Sequence, residues 1–243
     1  SRDPRWGRIS EGFGEDTYLA SVMGVAMIRG YQGTDPGDPT SLAACVKHFV
    51  GSGAAEGGRD YNSTFLPERV LRNVYLPPFL AGIQAGAMTL MTSFNDNDGV
   101  PMTGNRFLVR DLLRDEWNYN GFVVSDWASV NEMIPHGFAA DQAHAARLAL
   151  EAGVDMDMMS FAYITQLEKL IKEGAVSEKL VDEAVRNILR VKFLLGLFDN
   201  PYVQEDLHKE MFYNPHHMEL SRQSAVQSAV LLCNDGTLPL DEH

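Results

Sequence analysis

The sequence is poor in cysteine, with two in 243 residues, Cys45 and Cys233, and no Cys-x-x-Cys pair. That excludes a dithiol motif or a cysteine zinc knuckle. Cys45, inside the apolar run Leu42-Ala43-Ala44-Cys45-Val46, is expected to be a buried free thiol. No apolar run approaches the roughly 18 residues of a membrane span. No leader with a basic start and an apolar middle is visible, and no low-complexity linker interrupts residues 1–200. Positive charge is scarce: 20 Lys and Arg stand against 33 Asp and Glu, a net charge of -13. Such a surface repels phosphate backbones and anionic lipid, so neither nucleic acid nor a membrane is expected as a partner. The charge is read either as a solubility device or as compatible with a neutral substrate. Also missing are a Gly-x-Gly-x-x-Gly turn, a Walker A loop, a Gly-x-Ser-x-Gly elbow and a His-Glu-x-x-His pair. These absences argue against a nucleotide-binding open sheet, a serine elbow and a zinc protease. No metal or cofactor is expected. Asp155-Met156-Asp157 would put two carboxylates on one face of a strand, fewer oxygens than a hard cation takes.

What is present is a rhythm of short apolar runs, polar loops and amphipathic helices. With 45% hydrophobic residues, the chain can bury the core of one large α/β domain. Helices are expected at residues 16–30, with Asp16 as N-cap, at 67–85 with a break at Pro77-Pro78, and at 106–117, 139–152, 164–173 and 177–198. Strands are expected at 42–50, 88–94, 121–125 and 154–158. Apolar strands alternating with helices predict a parallel sheet covered by helices. With no nucleotide fingerprint, a (β/α)8 TIM barrel is preferred to an open sheet. A full barrel has eight strands in about 250 residues, so this barrel is expected to be incomplete at its N-terminal side. Residues 1–205 read as the C-terminal portion of the barrel. Residues 206–243 read as a helix and linker leading toward a second α/β domain that is absent.

In such barrels the chemistry sits at the C-terminal ends of strands. Those ends read Lys47-His48, Phe94-Asn95, Asp126-Trp127 and Asp157-Met158. A carboxylate, an ammonium, an imidazole and an indole at one mouth suit a sugar: polar groups bind hydroxyls, an aromatic face stacks on the pyranose, and a carboxylate attacks the anomeric carbon. Each residue also has a plainer reading. Asp126 could cap the next helix, Lys47 and His48 could anchor a loop, and Trp127 could pack. His144, His208, His216 and His217 lie in polar stretches and read as solvated.

Several segments in order resemble the family 3 glycoside hydrolases, with the bacterial periplasmic β-glucosidases nearest in kind. They are Arg2-Asp3-Pro4-Arg5-Trp6-Gly7-Arg8 with Glu11, Gly14-Glu15-Asp16, Lys47-His48-Phe49, Gly58-Arg59-Asp60-Tyr61-Asn62, Ser93-Phe94-Asn95, Gly99-Val100-Pro101, Gly121-Phe122-Val123-Val124-Ser125-Asp126-Trp127 and Ala152-Gly153-Val154-Asp155-Met156. The resemblance implies a retaining, exo-acting β-glucosidase that releases terminal glucose from small β-glucosides or oligosaccharides, with a β-xylosidase as the alternative. It implies Asp126 as nucleophile, Arg8, Lys47 and His48 as ligands of sugar hydroxyls, Trp127 packed on the sugar, and Arg59 as a further basic contact. It implies a cis peptide between Lys47 and His48. Phe94 stands where many members carry Tyr, so the ring is kept and a hydroxyl lost. The loop at residues 51–58 has no His, so the acid/base is expected to be a Glu from the downstream domain. A periplasmic or secreted location follows from the resemblance alone. A third possibility is a fragment that binds carbohydrate without turning it over, and the isolated chain is expected to have little activity.

Overall fold

The structure is a computed structural model that describes residues 1–241. It divides into two units, Ser1–Pro201 and the segment from Tyr202 onward. In the first unit, α1 (Thr17–Gln32) begins where the Asp16 carboxylate accepts from Leu19 N at 2.6 Å, satisfying one of the free donors of the first turn. It stops at Gly33, whose φ of 59° a side chain would resist. Strand β1 (Cys45–Phe49) follows. The next helical stretch is broken as the prolines require: α2 (Glu68–Val70), a wide turn at Leu71–Tyr75, then α3 (Pro77–Gln84) with proline in its first turn, where no donor is needed. Strand β2 (Thr89–Thr92) leads into a hairpin of β3 (Asp96–Asn97) and β4 (Val100–Pro101). Its turn is Asp98-Gly99, both at positive φ, the usual chemistry for a two-residue hairpin. A wide-turned helix, Phe107–Glu116, buries Leu108, Val109, Leu112 and Leu113 and delivers the chain to β5 (Phe122–Val124).

The sheet is parallel, in the order β1-β2-β5, and helical crossovers link its strands, as parallel pairs require. Its core holds Phe49, Leu90, Leu113, Val123, Leu150 and Val154, all nearly or fully excluded from solvent. After β5 come α4 (Ser129–Glu132), α5 (Gln142–Ala152), α6 (Ala162–Lys172) and α7 (Glu178–Leu194). Alanines 145, 146 and 149 give α5 a smooth buried face against its neighbours.

Two expectations are corrected. The strand expected at residues 154–158 is reduced to a single bridge, Val124 with Met156. Asp155 N and Met156 N both donate to Val123 O, at 2.8 and 3.0 Å, so the ladder kinks as it would at a bulge. The Asp155 side chain turns inward instead, to Arg114, to Val123 N at 2.7 Å and to the Asn187 amide at 3.0 Å. Burial pushes its carboxyl up, and these three donors pull it back. Asp157 goes elsewhere and caps α6, accepting from Ala162 N at 2.7 Å. The two carboxylates therefore serve separate structural ends. Cys45 is the second correction. It is exposed, because β1 is the edge strand of the sheet and presents Cys45 and Lys47 on its open face, while past the register shift between Val46 and Phe49 the Phe49 side chain is buried.

The second unit contains α8 (Leu207–Met211) and α9 (Pro215–Ser228), the latter capped by the Asn214 side chain, which accepts from His216 N at 3.0 Å. None of the residues in these two helices is buried.

Candidate active site

Asp126 lies just past β5, on a corner fixed from below. Ser125 N donates to Met156 O at 2.9 Å, and the Ser125 hydroxyl accepts from Met158 N at 2.8 Å. Ala128 adopts a left-handed φ of 56° and donates to Met158 O at 2.7 Å, which swings the chain away and leaves Asp126 at the tip. The residue is only 8% exposed. Its Oδ1 accepts from Trp127 N at 2.7 Å, whereas Oδ2 is buried and accepts no hydrogen bond among the described residues. A buried carboxylate oxygen left without a donor costs free energy in a folded protein and asks for an explanation. His48 Nε2 stands 3.4 Å from that oxygen. Burial pushes the His48 imidazole below its usual value, Asp126 pulls it up, and Lys47 and Arg8 add to the downward push.

His48 reaches Asp126 because β1 and β5 flank β2 in one sheet. The Lys47–His48 peptide is cis, as is Phe49–Val50, and the β1–β2 register shifts between Val46 and Phe49. Lys47 is exposed on the open face of β1. Arg8 is held by a two-pronged pair with Glu11, both contacts at 2.8 Å, and lies within the electrostatic reach of Asp60 and Asp126. Trp127 is 60% exposed beside Asp126, its indole available to a ligand. Phe94 is half-buried beyond β2 and stacks with Tyr61, ring centroids 4.2 Å apart. Arg59 makes no ion pair among the described residues. It is exposed, forms no side-chain hydrogen bond among the described residues, and folds back so that its Nε lies 3.9 Å from where a Cβ on Gly57 would sit.

Three residues outside the site expected from the sequence also gather here. Glu11 fixes Arg8, and Arg8, Lys47 and His48 hold its carboxyl below the usual range. Asp60 Oδ1 accepts from the Trp6 indole N–H at 2.6 Å and so ties the loop at residues 56–62 to the N-terminal segment. Gly58 makes that approach possible, since a Cβ there would lie 2.5 Å from the Arg5 carbonyl carbon. Tyr61 is the third. The signal was the place of Glu11 three residues after the Arg-Trp-Gly-Arg segment and of Asp60 and Tyr61 inside Gly-Arg-Asp-Tyr-Asn. A cleft of about 270 Å³ runs between the N-terminal segment, α1 and β1 and reaches Trp6, Glu11, Lys47 and His48, but not Asp126. No group of three potential metal ligands occurs among the described residues. What the arrangement can do chemically is hold a carboxylate beside cationic and imidazole groups, with one oxygen free of hydrogen bonds and an aromatic plane alongside.

The family model described as Glycosyl hydrolase family 3 N terminal domain matches residues 1–191. The chain is 45% identical over 246 residues to a periplasmic beta-glucosidase of Salmonella typhimurium, an alignment covering 99% of this chain and 32% of that protein. It is 39% identical over 253 residues to a beta-xylosidase of Formosa agariphila, covering 98% of this chain and 35% of that one. Among solved structures, it is similar to a beta-glucosidase from Listeria innocua in complex with isofagomine, at a TM-score of 0.94 and 46% identity, covering 98% of this chain and 34% of the other. The same Listeria enzyme is also known in complex with glucose. The chain thus spans about a third of the length of the relatives it matches.

Proposed function

Because the chain belongs to glycosyl hydrolase family 3, we propose that it contributes the nucleophile and part of the sugar site of a retaining, exo-acting β-glucosidase. The observation that carries this reading is the buried Asp126 Oδ2, free of hydrogen bonds and 3.4 Å from His48. A nucleophilic oxygen needs an unoccupied lone pair, and the Oδ2 that accepts no hydrogen bond offers one. Asp126 attacks the anomeric carbon, and the bond to the leaving oxygen breaks. A carboxylic acid about 5–5.5 Å away protonates that oxygen. Water, deprotonated by the same group, then cleaves the glycosyl ester and regenerates the carboxylate.

Arg8, Lys47 and His48 are assigned to the hydroxyls of the terminal sugar, and Trp127 to its apolar face. Arg59 is assigned a place on the rim, its exposure allowing it to swing toward a longer substrate. The acid is assigned to a Glu of a second α/β domain, in the two thirds of the relatives' length that this chain does not span. The three-stranded sheet is assigned to a (β/α)8 barrel whose other strands come from the same remainder, and residues 206–243 to the passage toward the second domain. The similarity to a periplasmic beta-glucosidase supports a periplasmic location. The similarity to a beta-xylosidase keeps a xyloside as the second reading, since the two sugars differ by one hydroxymethyl group.

The test is Asp126→Asn in the full-length enzyme. It is expected to lower kcat by about a thousandfold or more while the melting temperature stays within a few degrees. A 2-fluoro glucoside is expected to label Asp126 covalently in the wild type. Hydrolysis at near wild-type rate by the variant, or binding of the inactivator without labelling, overturns the assignment.

A further inference from the structure

Tyr61 has a conformation and an exposure that packing alone does not call for. It is 48% exposed, yet its ring is stacked on Phe94 at a 4.2 Å centroid distance. Its backbone φ is 69°, a left-handed value that a bulky residue keeps only where its surroundings hold it, and such residues gather at functional sites.

What holds it is identifiable on both sides. Before it, Asp60 is fastened to the Trp6 indole at 2.6 Å. After it, the Ser63 hydroxyl donates to Asp96 Oδ2 at 2.7 Å, and Thr64 N to Asp96 O at 2.9 Å. Asp96 is itself buried and anchored by Gly99 N at 2.9 Å, with His136 Nδ1 3.3 Å from its carboxylate. The phenol is pushed up by burial and then by Glu132, Asp126 and Asp60, while Arg8 draws it down. The ring therefore stands among the charges of the site described above. The polar floor of that site, Asp126 and His48, is buried and suits the terminal sugar. Tyr61 is half-exposed, and the group that leaves from an exo-cleaved glycoside projects toward solvent.

We infer that Tyr61 is a specificity-determining residue, its ring and that of Phe94 forming the wall that takes a ring-shaped leaving group, a second sugar or an aryl aglycone, through stacking on its flat face. This rests on the glycosidase reading above. The test uses the full-length enzyme and compares KM for an aryl β-glucoside and cellobiose with KM for methyl β-glucoside, whose leaving group has no ring. Tyr61→Ala is expected to raise KM for the two ring-bearing substrates by about tenfold relative to methyl β-glucoside, with kcat changed far less. Tyr61→Phe keeps the ring and is expected to retain most of the discrimination. Should Tyr61→Ala fail to fold, Tyr61→Leu, apolar but without a flat face, is expected to show the same loss. An unchanged ratio in a folded Ala or Leu variant whose Asp126 is still labelled by the 2-fluoro glucoside overturns this inference alone. Failure of the wild type to be labelled overturns the underlying reading and this inference with it.

Discussion

The imidazole of His48 and the carboxylate of Asp126 define each other. His48 is half-enclosed, burial disfavours its charged form, and the carboxylate 3.4 Å away partly restores it. The folded value lies below the ordinary 6.5, so the unfolded chain binds the proton more readily. The stability that His48 contributes is therefore fully present above about pH 6.5 and is lost as pH falls through the lower folded value. A ring-proton titration of His48 by NMR in the full-length enzyme is expected to show this lowered midpoint. In Asp126→Asn the midpoint is expected to fall further, because the largest upward influence is gone. A midpoint that rises in the variant contradicts the pairing. The same residue scale explains why Asp126 stood out in the sequence as a candidate and Tyr61 did not. A strand-end carboxylate before a tryptophan carries its chemistry in its identity. Tyr61 acquires interest only through a backbone angle, a stacked neighbour and two anchors distant in sequence, none of which a residue type announces.

Elements are joined here by buried polar contacts as well as apolar ones. Arg114, on the helix Phe107–Glu116, reaches Asp155 on the segment after α5 and also donates to Tyr119 O at 2.9 Å and Gly121 O at 2.6 Å. One guanidinium thus fixes the entry of β5 and the bridged segment beside it, the two elements whose ends form the Asp126 corner. Both partners are almost wholly buried. Removing one leaves a charge in the interior with no compensation, which costs about 3–5 kcal/mol. Arg114→Met is accordingly expected to lower stability by that amount in denaturant unfolding. Double replacement with Asp155→Asn is expected to recover part of it, since an amide demands less than an unpaired carboxylate. A loss under about 1 kcal/mol would mean that the pair behaves as a surface ion pair. The strand expected at residues 154–158 failed for the same reason. Val154 to Met158 has the right alternation, but the pull of Arg114, Val123 and Asn187 on Asp155 outweighs the ladder, and the kink follows.

On the whole-molecule scale, α1 exposes Tyr18, Leu19, Val22, Met23, Met27 and Tyr31, and β1 presents an open edge. An apolar helix face of this extent beside an unpaired strand is a surface for other structure to cover. The 243-residue chain alone is therefore expected to hydrolyse an aryl β-glucoside at background rate and to bind a hydrophobic dye more strongly, per mole, than the full-length enzyme does. Turnover near the full-length rate would show that an acid within this chain, such as Glu56 or Asp60, completes the site. The sequence by itself determined the alternation of strands and helices, the break at Pro77-Pro78, the Asp16 cap and the family. All of these are local signals, carried by periodicity, by residues with restricted backbones, or by contiguous motifs. Only the tertiary structure decided that Cys45 is exposed, that Asp155 and Asp157 part company and that Tyr61 is stacked on Phe94 between two anchored neighbours. Those outcomes depend on which distant donor, acceptor or open edge meets each side chain, and that information exists only once the strands have been laid side by side.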